Sequence, residues 1–142
     1  MPLRLVLDTN IWLDWLVFDD PGLAAVKSAV STGQAEIIID TACEGELIRV
    51  LEYPLQKWTL DSTDRARCLA QCRALARPVE IHGFPGLPRC ADPDDQKFLE
   101  LAAGAAANWL LTKDHALLAL NRHRASLPFQ IVTPADFDMC QG

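Results

Sequence analysis

The chain alternates between short apolar runs and longer segments in which apolar residues recur every three or four positions. The runs are aliphatic or β-branched and only a few residues long, which is typical of buried strands; they cover 3–8, 35–40, 108–112 and 129–133. The intervening segments have the spacing of amphipathic helices. This alternation predicts an α/β fold, a three-layer α/β/α sandwich with a mostly parallel central sheet.

Local signals mark where the predicted helices begin and end. Asp20 followed by Pro21 is a typical helix start. The fourth helix has Ser62 or Thr63 as its cap and Pro78 as its stop, and a further short strand is possible in the segment that follows. The predicted helices are 10–18, 20–33, 40–53, 62–77, 92–107 and 114–120.

Composition indicates one folded domain over residues 1–142. Half of the residues are hydrophobic and 23% are charged, so the chain can bury a core. No apolar stretch is long enough for a membrane span, and the N-terminus lacks the pattern of a signal peptide. The five cysteines are scattered without a C-x-x-C pair, which favours reduced core thiols over disulfides or a zinc site. We therefore expect a cytoplasmic protein that has no contact with a membrane.

The net charge of −6 comes from 13 basic and 19 acidic residues. Such a balance does not favour nonspecific attraction to nucleic acid, which depends on neutralising phosphates. It does not exclude a nuclease, because metal-binding carboxylates add negative charge that bound cations cancel locally.

Acidic residues recur where the predicted strands end. In a parallel sheet, the carboxyl ends of the strands and the starts of the following helices lie at one edge, where sites form. We therefore expect these acids to converge. In chain order they are Asp8, Glu46, the group Asp92, Asp94 and Asp95, and Asp114.

Converging carboxylates repel one another unless cations lie between them. Ligands that are all oxygen select Mg²⁺ or Mn²⁺, and divalent cations held in this way suit phosphodiester hydrolysis. Each acid also has a structural alternative. Asp8 and Asp114 could cap the helices that follow them, Glu46 could be a solvated helix residue, and acids in the first turn of a helix favour its dipole.

Four segments, read in order, resemble the PIN-domain family over essentially the whole chain. The resemblance is greatest to members assigned as toxins of toxin–antitoxin systems. The long segment that contains "DDQKFLELA" and "T-x-D-x-x-LL" is much more specific to this family than "DTN" alone. The segments are "LVLDTNIWL" at 5–13, "GELIRVL" at 45–51, "DPDDQKFLELAAGAAANWLLTKDHALL" at 92–118 and "IVTPADF" at 131–137.

The resemblance implies a role for each matching position. The four acids of the family correspond to catalytic, metal-binding residues, and three further positions support them. Ala91 and Lys113 depart from the usual arginine and glycine of similar proteins. The implied metal ligands are Asp8, Glu46, Asp95 and Asp114, and the implied supporting residues are Asn10, Asp92 and Thr112.

These matches imply an Mg²⁺- or Mn²⁺-dependent ribonuclease, acting on RNA as the toxin of a pair with an antitoxin protein. A homodimer is also expected, with Trp12 and Trp15 either in the core or at the dimer face. Two alternatives remain at this stage. One is a non-catalytic PIN-like module that binds RNA or protein. The other is a phosphatase of the haloacid dehalogenase type, although that chemistry needs an acid where this chain has Asn10.

Overall fold

The computed structural model describes residues 2–55 and 59–139. In that part of the chain, five strands form one sheet in the order β3-β2-β1-β4-β5. The strands are β1 Leu3–Leu7, β2 Ala35–Ile39, β3 Ala76–Pro78, β4 Trp109–Leu111 and β5 Gln130–Val132. The α-helices are α1 Thr9–Leu16, α2 Ala24–Ser31, α3 Thr41–Val50, α4 Ser62–Leu75, α5 Gln96–Gly104 and α6 His115–Leu118.

All four strand pairings are parallel, which confirms the predicted fold class. The central strand β1 pairs with β2 on one side and with β4 on the other, where Leu7 lies opposite Leu111. The ladder continues one residue further, because the backbone N–H of Asp8 donates to the carbonyl of Leu111 at 3.2 Å. Asp8 and Thr112 therefore leave the sheet side by side.

The strands β1, β2 and β4 are largely buried on both faces, as their apolar sequences predict. Trp109 is almost fully buried and packs edge-on against Phe137, with their ring centroids 5.1 Å apart. Trp12 and Trp15 are 2% and 8% exposed, so they belong to the core and the hypothesis that they form a dimer face is wrong. Trp58 and Cys140 lie outside the described residues.

The ends of α4 differ from the prediction. Its cap is Asp61, not Ser62 or Thr63, and Asp61 exchanges side-chain-to-backbone hydrogen bonds with Asp64 in a capping box. The helix ends at Leu75, and the next three residues form β3 at the edge of the sheet. Pro78 is thus the end of an edge strand, where its missing N–H costs nothing, and no strand follows it in 79–91.

Asp20 is a cap, as predicted, but the α-helix α2 begins only at Ala24. Asp20 accepts a hydrogen bond from the backbone N–H of Gly22 at 2.8 Å and caps a 3₁₀ turn that leads into the helix. The turn after α2 contains Gly33 at a φ of +78°, a backbone conformation that favours glycine. No helix in the described part of the chain is both long and apolar enough to cross a membrane.

A substitution at Gly104 tests how tightly α5 packs against the loop that precedes it. A Cβ at this position would lie 2.9 Å from the carbonyl oxygen of His82 and 3.0 Å from Cβ of Ile81. Gly104→Ala should therefore lower the free energy of unfolding by about 1–3 kcal/mol, measured by urea denaturation. Gly45→Ala is the matched control, because a Cβ at Gly45 in α3 meets nothing within 4 Å and should be neutral or stabilising. Equal effects of the two substitutions would contradict this packing.

Candidate active site

An acidic cleft of about 240 Å³ opens where β1 and β4 end. Six of its ten lining residues are aspartate or glutamate, and none is a cation, histidine or cysteine. The floor includes the buried ring of Phe98. The lining residues are Asp8, Thr9, Asn10, Glu46, Val50, Asp92, Asp94, Asp95, Phe98 and Asp114.

Asp8 is buried at the start of α1 and both of its carboxylate oxygens have partners. Oδ1 accepts a hydrogen bond from the backbone N–H of Ile11 at 2.9 Å, which caps the helix. Oδ2 accepts a hydrogen bond from the hydroxyl of Thr112. The structural alternative for Asp8 is therefore correct, and it coexists with a place in the acidic cleft.

Thr112 links two of the predicted acids. Its side chain is fully buried, and its hydroxyl donates to Asp8 while accepting the backbone N–H of Asp114 at 2.9 Å. Asp114 in turn caps α6, since its Oδ2 accepts from the N–H of Leu117 at 3.0 Å. A single hydroxyl thus fixes the positions of Asp8 and Asp114 relative to each other.

Glu46 reaches the cleft from α3, and two residues that sequence reasoning missed hold it. Oε2 accepts a hydrogen bond from the hydroxyl of Thr9, and Oε1 lies 3.0 Å from the ammonium of Lys97. Thr9 adjoins Asp8 and Lys97 follows Asp95 by two residues, so both stood inside recognisable motifs. Neither contact follows from spacing, because Thr9 and Glu46 are 37 residues apart.

The predicted group at 92–95 forms a 3₁₀ turn before α5. Asp92 caps this turn, accepting from the N–H of Asp94 at 3.0 Å. Asp95 occupies the cap position of α5 but makes no capping hydrogen bond with its side chain. Asp94 and Asn10 are exposed at the cleft. Asp94 was expected among the converging acids, but it was not one of the implied metal ligands or supporting residues.

The acids in the cleft raise one another's pKa. Burial, followed by the negative charges of Asp114, Asp92, Asp8 and Glu46, raises the pKa of Asp95 from 3.8 to about 7. Burial also raises the pKa of Asp8 to about 6, against the lowering effect of its hydrogen bonds from Thr112 and Ile11. Carboxylates in this state are stabilised by a cation among them.

The donor set fits a hard divalent cation, because all the lining ligand groups are oxygen. In the conformation of the described residues, however, no three acidic, histidine or cysteine side chains are close enough to hold a metal ion together. The carboxylate of Glu46, for example, is paired with Lys97 and Thr9. A bound cation would need a rearrangement of side chains.

Lys113 and Arg124 do not line the acidic cleft. The ammonium of Lys113 contacts Asp14 at 2.9 Å and Asp20 at 2.8 Å, so it ties the α1–α2 region to the end of β4. Arg124 lines a pocket with Asn108 and Gln130, at the amino-terminal ends of β4 and β5. Arg124 therefore does not line the acidic cleft.

A family model described as PIN domain matches residues 4–116. That span is most of the chain and contains all the residues that line the acidic cleft. The chain belongs to the PIN-domain family. Among curated proteins, none is similar enough to match.

PIN domains are three-layer α/β/α proteins and are generally nucleases that use divalent metal ions. The parallel sheet agrees with that architecture. Membership of this family rules against the dehalogenase-type phosphatase.

The raised pKa of Asp95 predicts a pH effect on metal-free stability. Its folded pKa of about 7 exceeds the ordinary value of 3.8, so the folded state binds more protons over that interval. The additional proton binding of the folded state stabilises it below about pH 4, and this stabilisation is lost as the pH rises through 7. In EDTA, Asp95→Asn should therefore gain stability relative to wild type between pH 5 and pH 8. Solvent screening limits the gain to about 1 kcal/mol.

Urea denaturation at the two pH values measures this difference. Asp94→Asn is the matched control, because it removes the same charge from the neighbouring position, where the residue is exposed. An identical pH dependence for both variants would show that the environment of Asp95 does not raise its pKa above that of the exposed Asp94.

Proposed function

We propose that this PIN domain is an Mg²⁺- or Mn²⁺-dependent endoribonuclease that hydrolyses phosphodiester bonds of single-stranded RNA. The observation that carries the proposal is the acidic cleft itself, which six carboxylates line without a cationic lining residue. Folding does not benefit from such a concentration of like charge, as the raised pKa of Asp95 indicates. A function that needs bound cations explains it.

In the proposed mechanism, Asp8, Glu46, Asp95 and Asp114 hold the cation. When bound, the metal supplies Lewis-acid chemistry that activates water and stabilises the charge on the reacting phosphate. The protein's part is to hold the four carboxylates in position at one edge of the sheet.

Three residues support that arrangement. Thr112 orients Asp8 and Asp114 through one hydroxyl, and its full burial keeps water from replacing either hydrogen bond. Asp92 stiffens the 3₁₀ turn that leads to Asp95. Asn10 is exposed at the cleft, where its amide can hydrogen-bond to RNA.

The charge of the cleft determines how RNA would be bound. No cation lines the cleft, so the phosphate backbone would be repelled in the absence of metal. We infer that affinity for RNA depends on the divalent cation as strongly as catalysis does. Single-stranded RNA suits an open cleft at a sheet edge better than a duplex, because its backbone can bend to approach the acids.

We further infer, from the resemblance of the motifs, that this nuclease is the toxin of a toxin–antitoxin pair. An antitoxin protein would then cover the acidic cleft or its approach, and a homodimer is the expected assembly. A cytoplasmic location accords with an RNA substrate. It also accords with Cys43, Cys68, Cys72 and Cys90, which are buried free thiols.

The ribonuclease activity has a direct test. Purified protein should cleave a fluorescently labelled single-stranded RNA in the presence of Mn²⁺, and Asp8→Asn should reduce the rate at least about 100-fold. Asparagine can still cap α1, so the variant should remain folded. Asp19→Asn is the control, because Asp19 is exposed outside the cleft and its side chain pairs only with Lys27 among the bonds described.

The alternative of a non-catalytic module predicts a different result. Wild-type protein would then bind RNA or a protein without cleaving it, and Asp8→Asn would bind as wild type does. If the Asp8→Asn variant cleaved RNA at the wild-type rate, the activity would come from a contaminating nuclease and the proposed function would be contradicted.

The toxin role has a test in cells. Induced expression of the wild-type chain should arrest bacterial growth, whereas Asp8→Asn should not, since arrest depends on RNA cleavage. Colony counts after induction measure the effect, with Asp19→Asn as the folded, active control. Growth arrest by Asp8→Asn at equal expression would argue that toxicity has another cause.

A further inference from the structure

Lys97 is the one described residue whose ammonium is paired with an acid of the cleft. Its Nζ lies 3.0 Å from Oε1 of Glu46, and it also donates a hydrogen bond to the backbone carbonyl of Asp94. The same atom lies 5.4 Å from the centroid of the Phe98 ring. With side-chain exposures of 20% for Lys97 and 14% for Glu46, the pair is largely withdrawn from solvent.

This pair leaves Glu46 with no free oxygen. Oε1 is held by Lys97 and Oε2 by the hydroxyl of Thr9, so the carboxylate is occupied from both sides. Asp95, by contrast, makes no capping bond and is repelled by the surrounding acids. Glu46 is thus the acid of the cleft that has a described ion pair, whereas Asp95 has none.

We propose that Lys97 is an internal counter-cation, which holds Glu46 while the metal site is empty and releases it when a divalent cation binds. The proposal rests on the proposed function, since it concerns the same site. It makes Lys97 a positioning residue that competes with the metal for one ligand. The consequence is a protein whose metal-free form is stabilised at the expense of its affinity for the cation.

The surroundings of Lys97 allow this exchange. A lysine ammonium is a compact charge at the end of a flexible stem, so it can leave one carboxylate without moving the backbone. The carbonyl of Asp94 and the face of Phe98 remain as partners for the ammonium after Glu46 is released. A divalent cation can outcompete a single ammonium, because it interacts with several carboxylates at once.

Isothermal titration of Mn²⁺ into wild type and Lys97→Met tests the competition. Methionine retains an apolar stem of similar length, and removal of the competing charge should lower the Kd for Mn²⁺ about tenfold or more. Lys27→Met is the matched control, because it removes the same charge from an ion pair with Asp19 outside the cleft and should change Kd less than twofold. Lys97→Arg retains the charge and should bind Mn²⁺ no more tightly than wild type.

Thermal melting separates competition from a purely structural role. In EDTA, Lys97→Met should melt at a lower temperature than wild type, because Glu46 loses its counter-charge. At saturating Mn²⁺, the two proteins should melt at the same temperature, or the variant higher. A lysine that only supports the fold would lower both melting temperatures.

Each failure has a distinct meaning. If wild type binds Mn²⁺ and Lys97→Met binds it equally or more weakly, the competition is wrong while the proposed function stands. If neither protein binds Mn²⁺ or Mg²⁺, both the competition and the metal-dependent nuclease are wrong. Binding by Lys97→Met alone would support the competition in its strongest form.

Discussion

The hydrogen bond from Thr112 to Asp8 is the contact on which the site depends. It joins the ends of β1 and β4, which the register of Leu7 against Leu111 brings side by side. An ionised carboxylate as buried as Asp8 is costly unless donors surround it, and Thr112 and the amide of Ile11 are those donors. Because the same hydroxyl holds the backbone of Asp114, the directions in which α1 and α6 leave the sheet are fixed together.

Stability and function oppose each other at this edge of the sheet. The apolar strands and the buried tryptophans favour folding, whereas burial and the neighbouring acids raise the pKa values of Asp8 and Asp95 and disfavour their charged state at neutral pH. Local compensation comes from helix caps and from the ion pair of Glu46 with Lys97. Such a local cost is tolerated because the rest of the core is well packed.

Sequence alone predicted the fold class and the acids that line one cleft, because strand period and parallel topology determine which residues lie at the sheet edge. It did not find β3, since Ala76–Pro78 becomes a strand only through its pairing with β2. It also missed Thr9 and Lys97 as partners of Glu46. Those contacts depend on the side-chain geometry of three helices that meet, which no local pattern specifies.

Asp8 both caps α1 and contributes a carboxylate to the acidic cleft, and this combination has an evolutionary consequence. Asparagine caps helices as well as aspartate does, and its amide can hydrogen-bond to the hydroxyl of Thr112. A single-nucleotide change in the codon for Asp8 would therefore abolish the proposed chemistry while leaving the folded domain intact. Descendants that bind RNA or protein without cleaving anything lie one mutational step away, and folding alone sets no barrier against them.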